Sequence, residues 1–234
     1  MAKGKVQTNP ETPKPLLVRA ATKTLSISAA DFLPHDESMP SLRQASKGCM
    51  GCDLWRNATQ TVFGEGNSGS TVMMVGEKPG DKEDLAGRPF VGPAGALLDR
   101  ALEAAGIDRE KVYVTNVVKH FKWTRKGRMR IHRKPSSREI TACRPWLDAE
   151  LRTVRPRIVV CLGSTAAQAL LGKDFRVTQQ RGEFIENDGV LFTATVHPSS
   201  ILRSPDAETR HREMDLFIRD LQGVAGILQE RKAA

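Results

Sequence analysis

No apolar run in this 234-residue chain approaches the length needed to cross a bilayer, so no membrane partner is expected. The opening residues, MAKGKVQTNPETPKP, have no apolar stretch of the signal-peptide kind. The expected compartment is therefore the cytoplasm. Cysteine is scarce, with four residues. In a reducing compartment such a set points to a metal site, catalysis or core filling rather than disulfides. No internal repeat is present, which excludes a solenoid. Acidic residues are outnumbered, 27 against 36 Lys and Arg, for a net charge of +9. That excess favours a polyanionic partner, since neutralised phosphates release counterions. Many basic proteins bind no nucleic acid, so charge alone settles nothing.

Thirty-nine per cent hydrophobic residues and this length suit one buried domain plus a tail. Residues 1–35 mix Lys, Thr, Pro and Ala without periodicity and read as a flexible basic tail, or a plain linker. Residues 36–234 read as the domain. A short helix is expected over Ser41–Lys47, leading into Cys49-Met50-Gly51-Cys52. Thr71–Gly76 and Arg157–Leu162 are short apolar runs of buried-strand type, Lys111–Asn116 is another strand, and Gly189–Val196 is the last. Helices are expected over Pro93–Ala105, over Ser164–Leu171 and from about Ala207 to Gln229. Another runs from Ser136, which caps with Glu139 three residues on, to about Val154. Lys119–Pro135 reads as a long polar loop dense in Lys and Arg. Strands alternating with helices predict an α/β domain with a mainly parallel sheet. Ligands bind such sheets beyond the carboxyl ends of the strands. The unusual segments Glu77–Asp84, Asn116–His132 and His197–Arg203 all follow strands.

Four of these segments, GEKPGDKEDLAGRPFVGPAG, VTNVVKHFK, RIHRKPSSREITACRPWL and TVHPSSILR, resemble the family-4 uracil-DNA glycosylases, and among them the UdgX-type subgroup. The match spans about Cys49 to Asp220. The resemblance implies a three-layer αβα fold around a parallel four-stranded sheet, a [4Fe–4S] cluster, and a monomer acting on uracil-containing DNA, single strands included. Uracil must be flipped from the stack to be reached. By resemblance, Phe90 stacks on the base and Asn116 reads its edge with an amide that both donates and accepts. Gly76, Lys78 and Asp84 contribute to the same pocket. His197 donates to the departing uracil oxygen. Ser199, Ser200 and Arg203 meet DNA, and Ile201 and Leu202 wedge into the stack unless they belong to the core.

UdgX-type proteins carry a Lys-Arg-Arg-Ile-His loop whose histidine attacks the sugar and stays attached. Here that stretch is Arg128-Met129-Arg130-Ile131-His132, which keeps a cation at its first position and loses one at its second. His132 is the expected nucleophile, Arg128 and Arg130 the expected phosphate contacts. Glu77 is expected to take the proton from the other imidazole nitrogen, leaving a neutral alkylimidazole that departs poorly. Asp81 can share that work. Lys78 stands where the subgroup has Gln.

Cys49-x-x-Cys52 is a half-site for a metal or cluster. The resemblance places the remaining ligands at Cys143 and at His120, where family-4 enzymes have Cys. Ligation by Cys161 instead of His120 is the alternative, although Cys161 lies in an apolar run. Spacing alone also allows zinc. Three functions remain open at this point. One is uracil excision ending in a covalent adduct through His132, another a conventional multi-turnover glycosylase, and the third a non-catalytic cluster-bearing nucleic-acid binder.

Overall fold

A computed structural model describes residues 27–230. Of the segment read as a tail, residues 1–26 lie outside the described residues. Its end forms a capped turn at Ala29–Phe32, with Ala29 fully buried.

The elements follow the chain in order. Helix α1 is Met39–Ser46, strand β1 Val72–Gly76, α2 Asp81–Ala86 and α3 Pro93–Ala104. Next come β2 Val112–Asn116, β3 Trp123–Lys126, β4 Met129–His132 and α4 Ser137–Val154. Strand β5 Ile158–Leu162, α5 Ser164–Leu171, α6 Val177–Gln180, β6 Ile185–Asn187 and β7 Val190–Thr195 follow. Helices α7 Pro198–Leu202 and α8 Ala207–Glu230 close the described chain.

The main sheet has the order β2-β1-β5-β7-β6. Its first four strands are parallel, which is the αβα architecture expected from the alternation of strands and helices. The sheet nevertheless has five strands rather than four. Strand β6 pairs antiparallel with β7 through a two-residue turn, Asp188-Gly189, both at positive φ. Asp-Gly is a sequence signal for this hairpin turn. It went unread because β6 is short and exposed.

The parallel strands are buried on both faces, so alternate residues feed two cores. Met73, Val75, Tyr113, Val159 and Cys161 face one layer, with Cys143, Trp146 and Leu147 from α4 and Ala166 and Ala167 from α5. Val72, Met74, Val112, Val114, Ile158 and Val160 face the other, with Leu97, Leu98 and Leu102 from α3 and Phe217 and Leu221 from α8. Ile201 is 1% exposed within this second core, so packing and not wedging accounts for it.

The polar stretch read as a loop contains a second sheet, the β3–β4 hairpin. Its residues are nearly all charged or exposed, so no apolar alternation reveals it; Gly127, at φ 60°, opens its turn. Helix α4 begins with the expected capping box. The Ser136 N–H donates to the Glu139 carboxylate at 2.6 Å, and the Glu139 N–H donates to Ser136 Oγ at 3.3 Å. This cap sets the direction of the chain leaving the hairpin. No helix among the described residues is long and apolar enough to cross a membrane.

Candidate active site

A cleft of about 900 Å³ opens where the four parallel strands end. It gathers Glu77 and Lys78 after β1, Asn116 at the end of β2, Leu162 at the end of β5 with Gly163 beyond, and His197 after β7. The strand register does this: Gly76 lies opposite Asn116, so the two chains leave the sheet side by side. The backbone beyond stays paired, Val117 N–H to Gly76 O at 2.9 Å and Val118 N–H to Glu77 O at 3.1 Å.

Gly76, the buried last residue of β1, packs against two residues of the cleft wall, Asn116 and Phe90. A Cβ there would overlap Asn116 Oδ1 and come within 3.0 Å of the Phe90 ring, so glycine alone lets those two side chains converge. Phe90 takes φ 57°, rare for a bulky residue, and its backbone is packed against Gly95 of α3. Its ring lies nearly parallel to that of His197, 6.2 Å between centroids and 23° between planes.

His197 caps α7. Its Nδ1 accepts from the Ser199 N–H at 3.1 Å and lies 2.8 Å from Ser199 Oγ. An accepting Nδ1 leaves the ring proton on Nε2, the tautomer that can donate into the cleft. Burial, then the charges of Arg203 and Lys78, bring its pKa from 6.5 down to about 4, so the ring is neutral at pH 7. Ser199 thus acts on His197, and Ser200 Oγ donates to the His197 carbonyl at 2.7 Å. Arg203 is exposed at the rim.

His132 enters the cleft from β4, with its Cε1 near Gly80 and its ring edge-to-face with Phe121 at 4.8 Å. Partial burial and Lys78 lower its pKa, against the opposing charges of Glu83 and Asp81. The side chain facing its Nδ1 is Lys78, with Nζ at 3.3 Å. Burial likewise holds Lys78 below the usual lysine range, against Glu77 and Glu83. Glu77, expected behind His132, instead accepts from Thr165 Oγ1 at 2.5 Å. Thr165 was missed by sequence reasoning. It sits in the first turn of α5, just past Gly163 and a buried strand, where no motif marks it.

Two expected positions serve the scaffold of the cleft. Asp84 is fully buried and outside the cleft wall; its carboxylate accepts from the Thr59 N–H and hydroxyl. Arg130 bridges that carboxylate, at 2.6 Å, and Asp81, at 2.5 Å. Its guanidinium therefore fastens the hairpin that carries His132 to the chain after β1, rather than facing phosphate. Asp84 is fully buried, so removing Arg130 would leave its carboxylate without a cation, a larger loss than for a surface pair. Arg128 is exposed at the hairpin turn.

Cys49 and Cys143 lie in the first core and Cys52 at its border, and all are free thiols. Burial, opposed by Lys119 and helped slightly by Cys52 and Cys49, raises Cys143 to about 12. Trp146 Nε1 donates to Cys49 Sγ at 3.1 Å, and the Lys119 N–H donates to Cys143 Sγ at 3.2 Å. Such bonds favour thiolates. His120 Nε2 lies 3.0 Å from Thr61 Oγ1, whose single proton goes to Ser46 O at 2.8 Å. The hydroxyl must then accept, which puts the ring proton on Nε2 and leaves the lone pair on Nδ1. Burial lowers His120 to about 4. Cys161 is raised to about 12 by burial alone. The chemistry of Cys49, Cys52, Cys143 and His120 fits a soft metal centre. Yet among the described residues no three such side chains stand arranged round a common point.

The His197 shift has a consequence for stability. Its folded pKa lies below the ordinary 6.5, so protons favour the unfolded chain. The stabilisation is complete above about pH 6.5 and is lost as pH falls toward 4. Urea melts from pH 7 to pH 4.5 should show the wild type losing more stability than His197→Asn. Equal losses would mean that the ring titrates as an exposed histidine.

Comparison with known proteins sets this geometry in a family. Residues 63–222 match the model of the uracil DNA glycosylase superfamily. The chain is 40% identical over 178 residues to the type-4 uracil-DNA glycosylase of Thermotoga maritima, covering 75% of this chain and 89% of that one. It is 35% identical over 195 residues to the type-4 enzyme of Sulfurisphaera tokodaii, covering 79% and 85%. With the type-5 uracil-DNA glycosylase of Pyrobaculum aerophilum it shares 30% identity over 178 residues, covering 69% and 75%. An αβα sheet whose strand ends carry the cleft, with matches over most of both chains, leaves one conclusion: the chain belongs to the uracil DNA glycosylase superfamily and is family-4-like.

Proposed function

We propose that this protein excises uracil from DNA, and that His132 then captures the sugar as a covalent adduct. The observation that carries the reading is that one cleft holds a neutral histidine of fixed tautomer, an amide beside an aromatic ring, and a second, accessible imidazole. The flipped uracil lies against Phe90, its edge toward Asn116. As the bond from C1′ to the base breaks, its electron pair leaves with uracil, and His197 Nε2–H donates to a uracil oxygen. Such help is worth roughly 10²–10⁴-fold. His132 Nε2 bonds to the cationic C1′. The proton on Nδ1 then passes to Lys78, whose amine faces that atom when uncharged. Glu77 and Asp81 hold the loop that presents Lys78 and the hairpin. DNA runs along the exposed cations Arg125, Lys126, Arg128, Arg133, Lys134 and Arg203.

The same contacts favour a second reading. A charged Lys78 would donate to Nδ1, leaving Nε2 protonated and non-nucleophilic, so that water attacks instead. A denaturing gel with uracil-containing single-stranded oligonucleotide separates the two. Adduct formation predicts a heat-stable slow band that His132→Ala abolishes. Free abasic product from wild type, with no such band, supports attack by water. A band surviving in His132→Ala would overturn the assignment of the nucleophile, and neither product would mean a non-catalytic binder.

Gly76 gives a sharper test. Gly76→Ala should stay folded, because the added methyl meets two side chains at the open end of a strand. Excision should nevertheless fall by about 10²-fold, the scale of a misplacement of about 1 Å. An unchanged rate would remove Asn116 and Phe90 from the uracil pocket.

We further propose that Cys49, Cys52, Cys143 and His120 hold a [4Fe–4S] cluster with a structural role, pinning the Cys49–Cys52 segment beside the strand end at Asn116. The broad visible absorbance of purified protein should be lost in His120→Ala and kept in Cys161→Ala. The opposite pattern would give the fourth ligand to Cys161, and zinc without that absorbance would exclude the cluster.

A further inference from the structure

Beneath the cleft lies a charged pair used by no step above. Lys119 and Glu150 are both fully buried, with their charged groups in contact. A buried pair gains little stability over apolar side chains of similar size. Its presence is better explained by what it holds in place.

Lys119 Nζ has three protons and three acceptors: Thr115 Oγ1 and the Asn116 carbonyl, each at 2.7 Å, and Glu150 Oε2 at 2.5 Å. Glu150 in turn accepts from the Gly64 N–H at 2.9 Å, Tyr113 OH at 3.0 Å and Thr115 Oγ1 at 2.9 Å. Each group is thereby fixed from several elements, with Glu150 on α4 and Lys119 just past β2. The Asn116 carbonyl is the significant acceptor. It is the last carbonyl of β2, and its direction sets ψ of Asn116. Its neighbours leave no slack, since Asn116 Oδ1 already fits against Gly76 with the Phe90 ring beyond. The backbone N–H of Lys119 meanwhile bonds Cys143 Sγ. One residue therefore ties the cysteine pocket to the strand end.

We infer that Lys119, held by Glu150, is a positioning residue that locks the Asn116 backbone so that its amide meets the uracil edge. The inference rests on the reading of Asn116 as the base-recognising group. It acts on base recognition and leaves the grip on the sugar–phosphate chain alone.

The test compares Lys119→Met with the double variant Lys119→Met/Glu150→Gln. The single change strands a buried carboxylate and lowers the urea midpoint. The double change removes both charges, regains most of that loss, and still lacks a donor for the Asn116 carbonyl. In the double variant the single-turnover rate on uracil-containing oligonucleotide should fall about 10- to 100-fold. Affinity for the same oligonucleotide carrying a tetrahydrofuran abasic analogue should stay at the wild-type level, because no base is there to be read. Adding Asn116→Ala to the double variant should cost less than it does alone, since both changes act on one contact. A refolded double variant with the wild-type rate would overturn the inference. So would equal loss on uracil and abasic DNA, the mark of a merely structural pair. If Asn116→Ala alone excises uracil at the wild-type rate, the reading of Asn116 fails instead, and that result is separate.

Discussion

The site depends on the parallel pairing of β1 with β2, in which Gly76 lies opposite Asn116. Parallel strands deliver their carboxyl ends to one edge of the sheet, and helices on both faces leave that edge open. Gly76 then permits what the register brings about, the approach of Asn116 and Phe90 to one point. A shift of one residue would turn Asn116 to the other face and remove it from the cleft.

Around that edge the cations have divided roles. Arg130 is closed in by Asp81 and Asp84 and holds the hairpin. Lys119 is closed in by Glu150 and holds the strand end. Lys78 lies against a histidine, where its state of protonation decides which imidazole nitrogen carries a lone pair. The exposed Lys and Arg of the hairpin place positive charge at the cleft rim. In the proposed reaction the sugar becomes cationic, and the carboxylates beside the cleft offset part of the positive charge around it.

Much of this was legible in the sequence. The apolar runs marked β1, β5 and β7, the Ser136–Glu139 spacing marked the start of α4, and the strand ends located the cleft. Each signal is local: burial, capping and strand length are imposed within a few residues. The β3–β4 hairpin was not legible, because a ribbon lying over the domain has no buried face to pattern. Nor was the β6 edge strand, three exposed residues whose only mark is the Asp-Gly turn. Thr165 carried no motif at all.

What the sequence determined by itself was therefore the alternation of strands and helices, the residue types at the strand ends and the Cys49-x-x-Cys52 half-site. The tertiary structure alone decided their partners. It gave Glu77 to Thr165, Lys78 to His132, Arg130 to two aspartates, and Lys119 to Glu150 and the Asn116 carbonyl. The physical reason is range. A hydrogen bond forms only within about 3 Å, and these partners lie 31 to 88 residues apart in sequence, save for the Asn116 carbonyl three residues from Lys119. Only the packed sheet brings such groups within reach.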